Sequence, residues 1–442
     1  ASTATTIDIP LTNLIELTPY TFEIKAVDKA GNESAVKTIN FTTLEEPKSK
    51  PVIATGLTPI KWNASNAVVT TGETDIDWYD YQNKKWANAQ TADGSMWTWI
   101  PRYAYRIIYY SGAVTDNVGF GNIIGYSDNR GLVDASGTPS TTFNRLNGRV
   151  EVVFLGADNF KYYNGIRYVG DVRLNDNINN PNHYVVHPAF SAVRRTGYTK
   201  KDGNFGNTKE IPGFWVSKFE MSAGCTSKSG VASQRDITIS DIFVEGKKIA
   251  ATRGITGGDS NAMTTTQWGA VAYLTKAVGK EPDVNENSNY ITGSGNYIGN
   301  VLQSTTGNTT GIYDMSGCAW EMLSAYIVAG DTGYNSNLIK NKNTKYVDVY
   351  AAGNDNTQTS NYAANADKYG DSIYEVSTNG VNNPMAWSGD YSNFPPSGSP
   401  VFNYGGDYTR GVTSGIFAFS DNLGMTYVNL SWRRGLHFLI FR

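Results

Sequence analysis

The sequence has little of the material from which metal centres and disulfide frameworks are built. Among 442 residues there are two cysteines, Cys225 and Cys318, and three histidines, His183, His187 and His437. Two cysteines supply neither a disulfide framework nor a zinc site, and their spacing leaves open whether they are bonded to each other. We therefore expect no metal and no cofactor.

An excess of positive charge and long apolar runs are also missing. Lys and Arg total 37 and Asp and Glu total 40, a formal charge of −3, which argues against a nucleic-acid binder that relies on phosphate contacts. No apolar run approaches the ~20 residues of a membrane helix, so we expect no membrane insertion. Residues 1–4 lack the basic and apolar regions of a signal peptide and begin in mid-pattern, which predicts a longer parent chain.

Glycine and aromatic residues are abundant instead. The chain has 45 Gly, 28 Tyr, 17 Phe and 10 Trp, but only 17% charged residues. This composition is typical of a compact, turn-rich protein with many strands, and it differs from that of a disordered chain. At ~150 residues per domain, the length predicts two to three domains with ordinary hydrophobic cores.

The first region, residues 1–44, has the pattern of a strand pair. Thr21–Asp28 alternates apolar and polar side chains, Ala30–Glu33 is a turn, and a second strand follows up to Phe41. The stretch resembles the last strands of a fibronectin type III module, of which about half would be present. A β-hairpin stalk of another kind is the alternative. The charged, proline-bracketed residues 45–52 predict a stiff linker.

Residues 53–442 show no second boundary as clear as this linker. Short aromatic strands alternate with Gly, Asn, Ser and Thr, and a helix is expected from Met263 to Val278, where Gly279 ends it. A second short helix is predicted at Ala319–Ala325. Without βαβ alternation, a Rossmann or P-loop fold is excluded, and we predict an α+β domain with short strands, two main helices and long loops.

Three sequence motifs occur in a fixed order in the second half of the chain. They are Gly213–Glu220, Gln267–Leu274 and Gly311–Glu321, and they are followed by Phe402–Tyr408 and a terminal Phe441-Arg442. The series resembles the C-type-lectin-like fold of the formylglycine-generating-enzyme type, whose hallmark is G-x-Y-D-M-x-G-x-x-W-E followed by a G-G-x-[WY] strand. The resemblance covers about residues 210–442, and it implies a fold with a core over about residues 95–442.

The hallmark residues are interpreted as scaffold and not as catalytic groups. They are Tyr313, Asp314, Met315, Gly317, Trp320, Glu321, Gly405 and Gly406. Enzymes of this type depend on reactive cysteines near the end of the domain, whereas no cysteine follows Cys318 here. We therefore expect no enzymatic activity and no catalytic residues, and we expect Cys318 to be a buried, inert thiol.

A second resemblance concerns the start of the large domain. Trp78–Ala89 and Asp93–Arg102 look like the opening of tail or surface proteins from phages and prophages of Gram-positive bacteria, which often carry fibronectin type III modules. This resemblance spans about residues 55–442. It implies a location in the virion, on a phage tail, or outside the cell or on its surface.

The C-terminal segment, residues 404–438, interleaves small or aromatic framework positions with chemically mixed residues. Such a frame with varied side chains is expected of a paratope-like surface. The segment resembles the variable region of proteins diversified by diversity-generating retroelements; the alternative is an ordinary end of the lectin-type domain with polar loops. The candidate ligand-binding residues are Asp407, Thr409, Arg410, Val412, Thr413, Ser414, Ala418, Ser420, Asp421, Leu423, Tyr427, Leu430, Trp432 and Arg434.

Arg410, Tyr427, Trp432 and Arg434 are expected to be the anchors of this surface, because Tyr, Trp and Arg dominate binding hot spots. The predicted function is attachment to a host-surface or other macromolecular ligand, protein or glycan. Resemblance to phage fibres implies a homotrimer, since a weak site gains from multivalency. The alternatives are an enzyme of the formylglycine-generating type, disfavoured by the missing terminal cysteine pair, and a purely structural tail or surface component.

Overall fold

The structure is a computed structural model that describes residues 19–42, 50–109, 148–155, 160–163, 166–169, 172–174, 184–190, 211–328, 339–340, 342–366, 368–378, 380–381, 383–384 and 386–438. The chain forms two compact units, Ala1–Lys48 and Ser49–Arg442. Most of the predicted linker, His183 and the terminal Phe441-Arg442 lie outside the described residues. Described helices and strands make an α+β protein.

The strands are short and spread over both units. They are β1 (Pro19–Ile24), β2 (Lys37–Thr42), β3 (Thr58–Trp62), β4 (Val68–Thr70), β5 (Asn88–Gln90), β6 (Met96–Pro101), β7 (Tyr103–Tyr109), β8 (Gly148–Phe154), β9 (Phe160–Tyr163), β10 (Ile166–Val169), β11 (Val172–Leu174), β12 (Val185–Val186), β13 (Gly213–Ser217), β14 (Gly258–Ala262), β15 (Trp320–Ile327), β16 (Asp348–Tyr350), β17 (Asn383–Pro384), β18 (Tyr391–Ser392), β19 (Val401–Tyr404), β20 (Phe419–Asn422), β21 (Leu430–Ser431) and β22 (Arg434–Phe438).

Three α-helices lie within the described residues: α1 (Ile239–Thr252), α2 (Thr265–Ala277) and α3 (Gln358–Ala364). Short 3₁₀ helices accompany them at Pro188–Phe190, Thr292–Gly295, Val301–Gln303, Trp387–Gly389 and Tyr408–Thr413. In the part of the chain that the structure describes, no helix has the length and apolar character needed to cross a bilayer.

In the first unit, β1 and β2 form an antiparallel pair. Tyr20 lies opposite Phe41, with ring centroids 5.9 Å apart, and Phe22 lies opposite Ile39. The connecting turn is held by Asp28, whose Oδ1 accepts hydrogen bonds from the backbone N–H groups of Ala30 and Asn32. The predicted strand pair and its turn are therefore present. Asp28 suits this position because its short carboxylate can bond to its own turn.

The second unit contains two seven-stranded sheets. In the first, here called sheet A, the strand order is β14-β22-β13-β6-β5-β3-β4. In the second, sheet B, the order is β16-β15-β19-β20-β18-β17, and β21 pairs with β15 off this path. Between β21 and β22 the chain passes from sheet B to sheet A, because β21 pairs with β15 of sheet B and β22 lies in sheet A. Smaller sheets are formed by β12-β7-β8 and by β11-β10-β9.

Helix α2 begins and ends close to the predicted positions. Thr264 caps it by accepting a hydrogen bond from Gln267 N–H, while the Gln267 side chain accepts one from Thr264 N–H. This reciprocal capping box satisfies two free N–H groups at the helix start. Trp268 and Val271 are buried in the largest core cluster. The predicted helix is thus confirmed, ending at Ala277 with Val278 as its C-cap.

The second predicted helix, at Ala319–Ala325, is wrong. Residues Trp320–Ile327 form strand β15, and every side chain of this strand is buried. The strand lies inside sheet B, where it pairs with β16, β19 and β21. A strand covered on both faces loses the apolar–polar alternation by which strands are identified, so a run of apolar residues there is easily taken for a helix.

Candidate functional site

The Gly311–Glu321 motif lies in the interior and joins the two large sheets. Glu321 is the second residue of the buried strand β15, and its carboxylate accepts hydrogen bonds from Nε and Nη2 of Arg433, the shorter at 2.7 Å. Both side chains are fully buried. Arg433 Nη1 also donates to the Ser217 carbonyl in β13, and Nη2 donates to the Tyr313 carbonyl. One guanidinium therefore connects sheet A, sheet B and the motif.

Asp314 and Gly317 shape the turn within this motif. Asp314 has φ of 62° and accepts hydrogen bonds from Asn285 Nδ2 at 2.8 Å and from Gly293 N–H at 2.9 Å. Gly317 has φ of 79°, and a Cβ there would lie 2.5 Å from Val284 Cγ1. Only glycine fits such a left-handed, closely approached position. These contacts use the motif's polar atoms for folding.

The other motif side chains fill the core. Tyr313 stacks on Phe219 with ring centroids 5.4 Å apart, Met315 is in the largest core cluster, and Trp320 is 4% exposed. Beside them, Glu220 Oε1 accepts the Ala319 N–H at 3.0 Å while its Oε2 is buried with no partner. Burial, followed by the charges of Glu321 and Asp314, raises the pKa of Glu220 well above its ordinary value.

The C-terminal segment does not present all of its predicted surface residues to solvent. Six of the fourteen are buried and the expectation for them is wrong: Asp407, Ser414, Ala418, Leu430, Trp432 and Arg434. Ala418, Leu430 and Trp432 belong to one hydrophobic cluster with Met322 of β15 and Ile242 of α1. These three side chains fill the space between α1 and sheet B. Packing in this space explains why apolar residues stand among the polar residues of the C-terminal segment.

The buried polar residues of this group have local structural roles. Asp407 Oδ1 accepts the Thr409 N–H at 3.0 Å, and its Oδ2 accepts from Asn429 Nδ2 at 2.7 Å. Ser414 Oγ donates to the Asp407 carbonyl at 2.7 Å. Gly406, with φ of 75°, allows this closure because a Cβ there would lie 2.3 Å from Ser414 Oγ. Gly405 is likewise in the left-handed region, with φ of 91°.

Eight predicted residues are at least partly accessible: Thr409, Arg410, Val412, Thr413, Ser420, Asp421, Leu423 and Tyr427. The first four lie in the turn Tyr408–Thr413, where Val412 is 89% exposed. Tyr427 lies in a second loop, in which it is 40% and Val428 63% exposed. The bond from Asn429 to Asp407 ties the second loop to the base of the turn. These two loops therefore form the most exposed part of the segment, and Ser420, Asp421 and Leu423 are only partly accessible.

Aromatic and arginine side chains from elsewhere in the chain support and extend this surface. Arg235 and Tyr391 are partly accessible, whereas Tyr290 is buried beneath them at 8% exposed. The Arg235 guanidinium stacks 4.1 Å from the centre of the Tyr290 ring, and Tyr290 packs edge-on against Tyr408 at 5.0 Å. Arg410 stacks 4.3 Å from the Tyr391 ring. We call this set the arginine–tyrosine face: Arg235, Tyr290, Tyr391, Tyr408, Arg410, Val412, Tyr427 and Val428.

Sequence reasoning missed Arg235, Tyr290 and Tyr391, because each comes from a separate loop or short strand and none stands in a motif. Arg235 reaches the second loop through its Nη1, which donates to the Val428 carbonyl at 2.7 Å. The only signal in the sequence is the high tyrosine content, which does not indicate where the rings meet. The topology that brings these loops together is not readable from local spacing.

The arginine–tyrosine face offers flat rings, two guanidinium groups and exposed apolar tips. Nearby, Asp421 is half-buried and accepts a hydrogen bond from Asn393 Nδ2, and burial raises its pKa. Asp236 is exposed next to Arg235. Within the described ranges, no group of three or more His, Cys, Asp or Glu side chains is arranged to hold a metal ion. Such a surface is suited to contact and stacking.

The two cysteines differ in their surroundings. Both are free thiols. Cys318 is 0% exposed, and burial raises the pKa of its thiol well above the ordinary value. Cys225 is half-buried in a turn.

No protein-family model matches this chain, and no curated protein is significantly similar to it.

Proposed function

We propose that this protein is a non-enzymatic ligand-binding protein, in which a C-type-lectin-like domain of the formylglycine-generating-enzyme type displays a binding surface near its C-terminus. The observation that carries the proposal is the arginine–tyrosine face, in which two guanidinium groups are stacked on tyrosine rings beside exposed apolar loop tips. The ligand is a host-surface or other macromolecule, protein or glycan.

The composition of the face supports this function. Tyr and Arg are the residues that, with Trp, contribute most to binding hot spots, and tyrosine gives a large contact area for little loss of side-chain freedom. Stacking on Tyr290 and Tyr391 already restrains Arg235 and Arg410. Less conformational entropy is then lost when a ligand binds, which favours affinity.

The proposed setting follows the resemblances of the sequence. The protein is a tail component of a phage virion or an extracellular adhesin, with a partial fibronectin type III module preceding the lectin-type domain. A homotrimer would place three copies of the face on one particle. Each copy can then be weak, because linked sites raise the overall avidity without any new contact.

Binding to cells tests the proposal. The labelled full chain is titrated onto whole cells from a panel of Gram-positive bacteria, and the half-saturating concentration is measured by flow cytometry. Alanine at both Arg235 and Arg410 should raise that concentration at least about ten-fold on any strain that binds, since hot-spot losses are typically above ~1.4 kcal/mol. Ile76→Ser is the control, because Ile76 is 89% exposed outside the face.

Two results would contradict the proposal. If the double variant binds as tightly as the parent chain, the ligand contacts another surface. If the parent chain binds no strain more strongly than a protein of unrelated sequence, the structural tail or surface component becomes the better interpretation.

Diversification by a retroelement is a further part of the proposal, and the burial pattern restricts it. Adenine-directed substitutions should occur in the codons of accessible residues such as Thr409, Arg410 and Val412. They should spare Leu430 and Trp432, whose side chains pack in the core. Sequencing the flanking DNA for a reverse-transcriptase gene and a near-copy of the segment tests this directly, and finding neither would remove diversification while leaving ligand binding in place.

A further inference from the structure

One face of sheet B carries three polar side chains in a row. Asn403 in β19 lies opposite Ser420 in β20. Strand β18 pairs with β20 at Ser392 and Phe419, and the N–H of Asn393 continues this ladder by donating to the Phe419 carbonyl at 2.9 Å. Asn393 is therefore the neighbour of Ser420. Because side chains at matching positions of paired strands project from the same face, the three lie side by side, and we call them the polar row.

The polar row adjoins the Arg410 end of the arginine–tyrosine face. Tyr391 comes two residues before Asn393, and side chains two positions apart along an extended strand project from the same face. The Arg410 guanidinium lies 4.3 Å from the centre of the Tyr391 ring and 5.8 Å from that of the Trp320 ring. Tyr391 and Ser420 are partly accessible. The ring, the guanidinium and the polar row therefore form one continuous surface.

Asn403 carries an acceptor that no described residue uses. The residue is 4% exposed, and its Oδ1 is buried without a hydrogen-bond partner in the described part of the chain. Its Nδ2 donates to the Asp421 carbonyl at 3.2 Å, which fixes the amide. A carbonyl oxygen that is buried without a donor costs free energy. A ligand hydroxyl that enters beside the partly accessible Ser420 removes this cost.

Two further side chains hold the end of the polar row in one orientation. Gln358 Nε2 donates to Asn393 Oδ1 at 2.7 Å, and Asn393 Nδ2 donates to the Asp421 carboxylate. An amide has two N–H donors and a carbonyl with two lone pairs, so these groups keep hydrogen-bonding capacity for a ligand. Since their orientation is set before binding, less conformational entropy is lost when a ligand arrives.

We propose that the ligand of the arginine–tyrosine face is a glycan, and that one sugar ring packs against Tyr391 and Arg410 with its hydroxyl groups bonded to the polar row. This inference rests on the proposed function and names the class of ligand. A sugar ring presents an apolar C–H face together with hydroxyl groups that both donate and accept. An aromatic ring beside several amides complements both features.

A protein ligand fits this end of the face less well. Protein–protein interfaces have an apolar, fully desolvated centre surrounded by a polar rim. The exposed apolar side chains of the face, Val412, Tyr427 and Val428, belong to the two loops and not to the polar row. The surface beside Tyr391 consists of amides and a hydroxyl group instead, so its chemistry favours a hydroxyl-rich partner.

Selective treatment of the bound cells tests the ligand class. The labelled full chain is titrated onto a strain that binds it, after the cells are treated either with periodate, which cleaves the bond between carbons that carry adjacent hydroxyl groups, or with proteinase K. We expect periodate to raise the half-saturating concentration at least about ten-fold and proteinase K to change it by less than about two-fold.

The treatments separate this inference from the proposed function. Binding that survives periodate but is lost after proteinase K would overturn the glycan inference and leave the proposed function in place, with a protein as the ligand. If the parent chain binds no strain more strongly than an unrelated protein does, the proposed function fails and the inference fails with it.

Two variants test the contact with the polar row. Asn403→Leu removes the unpartnered oxygen, so it should raise the half-saturating concentration at least about five-fold. Its melting temperature should stay close to that of the parent chain, because the loss of a buried, unpaired carbonyl offsets the loss of the bond to Asp421. Gln358→Ala, at a partly accessible position, should also weaken binding and replaces the first variant should that fail to fold.

Gln303→Leu is the matched control. Gln303 Oε1 is likewise buried without a partner among the described residues, but its Nε2 donates to the Val284 carbonyl and to Ser294 Oγ, neither of which belongs to sheet B. This variant should leave binding to cells unchanged. Unchanged binding by both Asn403→Leu and Gln358→Ala would overturn the inference that the polar row contacts the ligand.

Discussion

The turn Tyr408–Thr413 and the run Leu430–Arg434 belong to the same C-terminal segment and have similar mixtures of polar and apolar residues, but their environments are opposite. Val412 at the tip of the turn is 89% exposed, whereas Trp432 in the later run is 0% exposed. The turn satisfies its polar groups locally through Asp407 and Ser414. The later run crosses between the two large sheets, and its side chains are part of the core.

The difference shows that the mixture of polar and apolar residues in this segment has two separate causes. In the turn, varied residues are tolerated because their side chains are free of the core. In the run, varied residues are required because Trp432 fills a cluster, Arg433 neutralises Glu321, and Arg434 stacks on the Trp432 ring. Substitutions should therefore affect binding in the first region and stability in the second.

The largest expected effect is on the buried ion pair of the run. Arg433→Met leaves the Glu321 carboxylate buried without its partner, so we expect the free energy of unfolding to fall by about 3–5 kcal/mol. Urea unfolding measures this change. Arg410→Met in the turn is the control and should change stability by less than about 0.5 kcal/mol. Equal effects of the two variants would remove the distinction between the regions.

Trp432→Ala should have the next largest effect. Removing a fully buried indole leaves a cavity beside Leu430 and Ala418, which typically costs about 3 kcal/mol or more. We expect a lower melting temperature and, at temperatures where the variant is folded, unchanged affinity for cells. If the variant keeps the parent's melting temperature but loses binding, Trp432 contacts the ligand and the prediction of a core role is wrong.

The buried carboxyl of Asp390 is expected to make the free energy of unfolding depend on pH. Asp390 is buried and accepts the Phe417 N–H at 2.9 Å, and burial raises its pKa to about 7. The folded state then binds more protons than the unfolded state between about pH 4 and 7, so this group makes stability fall as pH rises. Relative to Asp390→Asn, the parent chain should lose about 1–3 kcal/mol across this range. Parallel stability curves for both chains would contradict the prediction.

The smallest stability effect is expected at the tip of the turn. Val412→Ser removes an exposed apolar side chain, so the free energy of unfolding should change by less than about 0.5 kcal/mol. Binding to cells should nevertheless weaken, whereas Ile76→Ser, at an equally exposed position, should leave it unchanged. Calorimetry and the cell titration separate the two quantities. Equal binding by both variants would show that the tip is outside the contact area.

Local signals predicted those parts of the fold that local interactions determine. The capping residues Thr264 and Gln267 and the stop at Gly279 identify α2. Helix α1 was missed although Thr238 caps it by accepting the Asp241 N–H. Its sequence contains β-branched residues and Gly246, which is needed because a Cβ there would lie 2.3 Å from Ala262 N. That requirement comes from packing on β14, which local propensity does not reveal.

The candidate site was predicted only in part for the same reason. The turn residues Thr409, Arg410 and Val412 were identified by their place in the segment. Their partners Tyr290 and Tyr391 come from distant parts of the chain, so no spacing indicates them. Likewise, the alternation of small and mixed residues does not distinguish the exposed Arg410 from the buried Arg434, because the sheet that covers the latter is formed by non-local pairing.

The closure of the turn by Asp407 and Ser414 makes it a replaceable module. The Ser414 hydroxyl bonds to the Asp407 carbonyl, so the two ends of the turn are fastened together independently of what lies between them. Loops of different length or sequence can be grafted between Asp407 and Ser414 without changing the strand register of either large sheet. The domain thus offers a scaffold for engineered binders in which recognition is changed without redesigning the core.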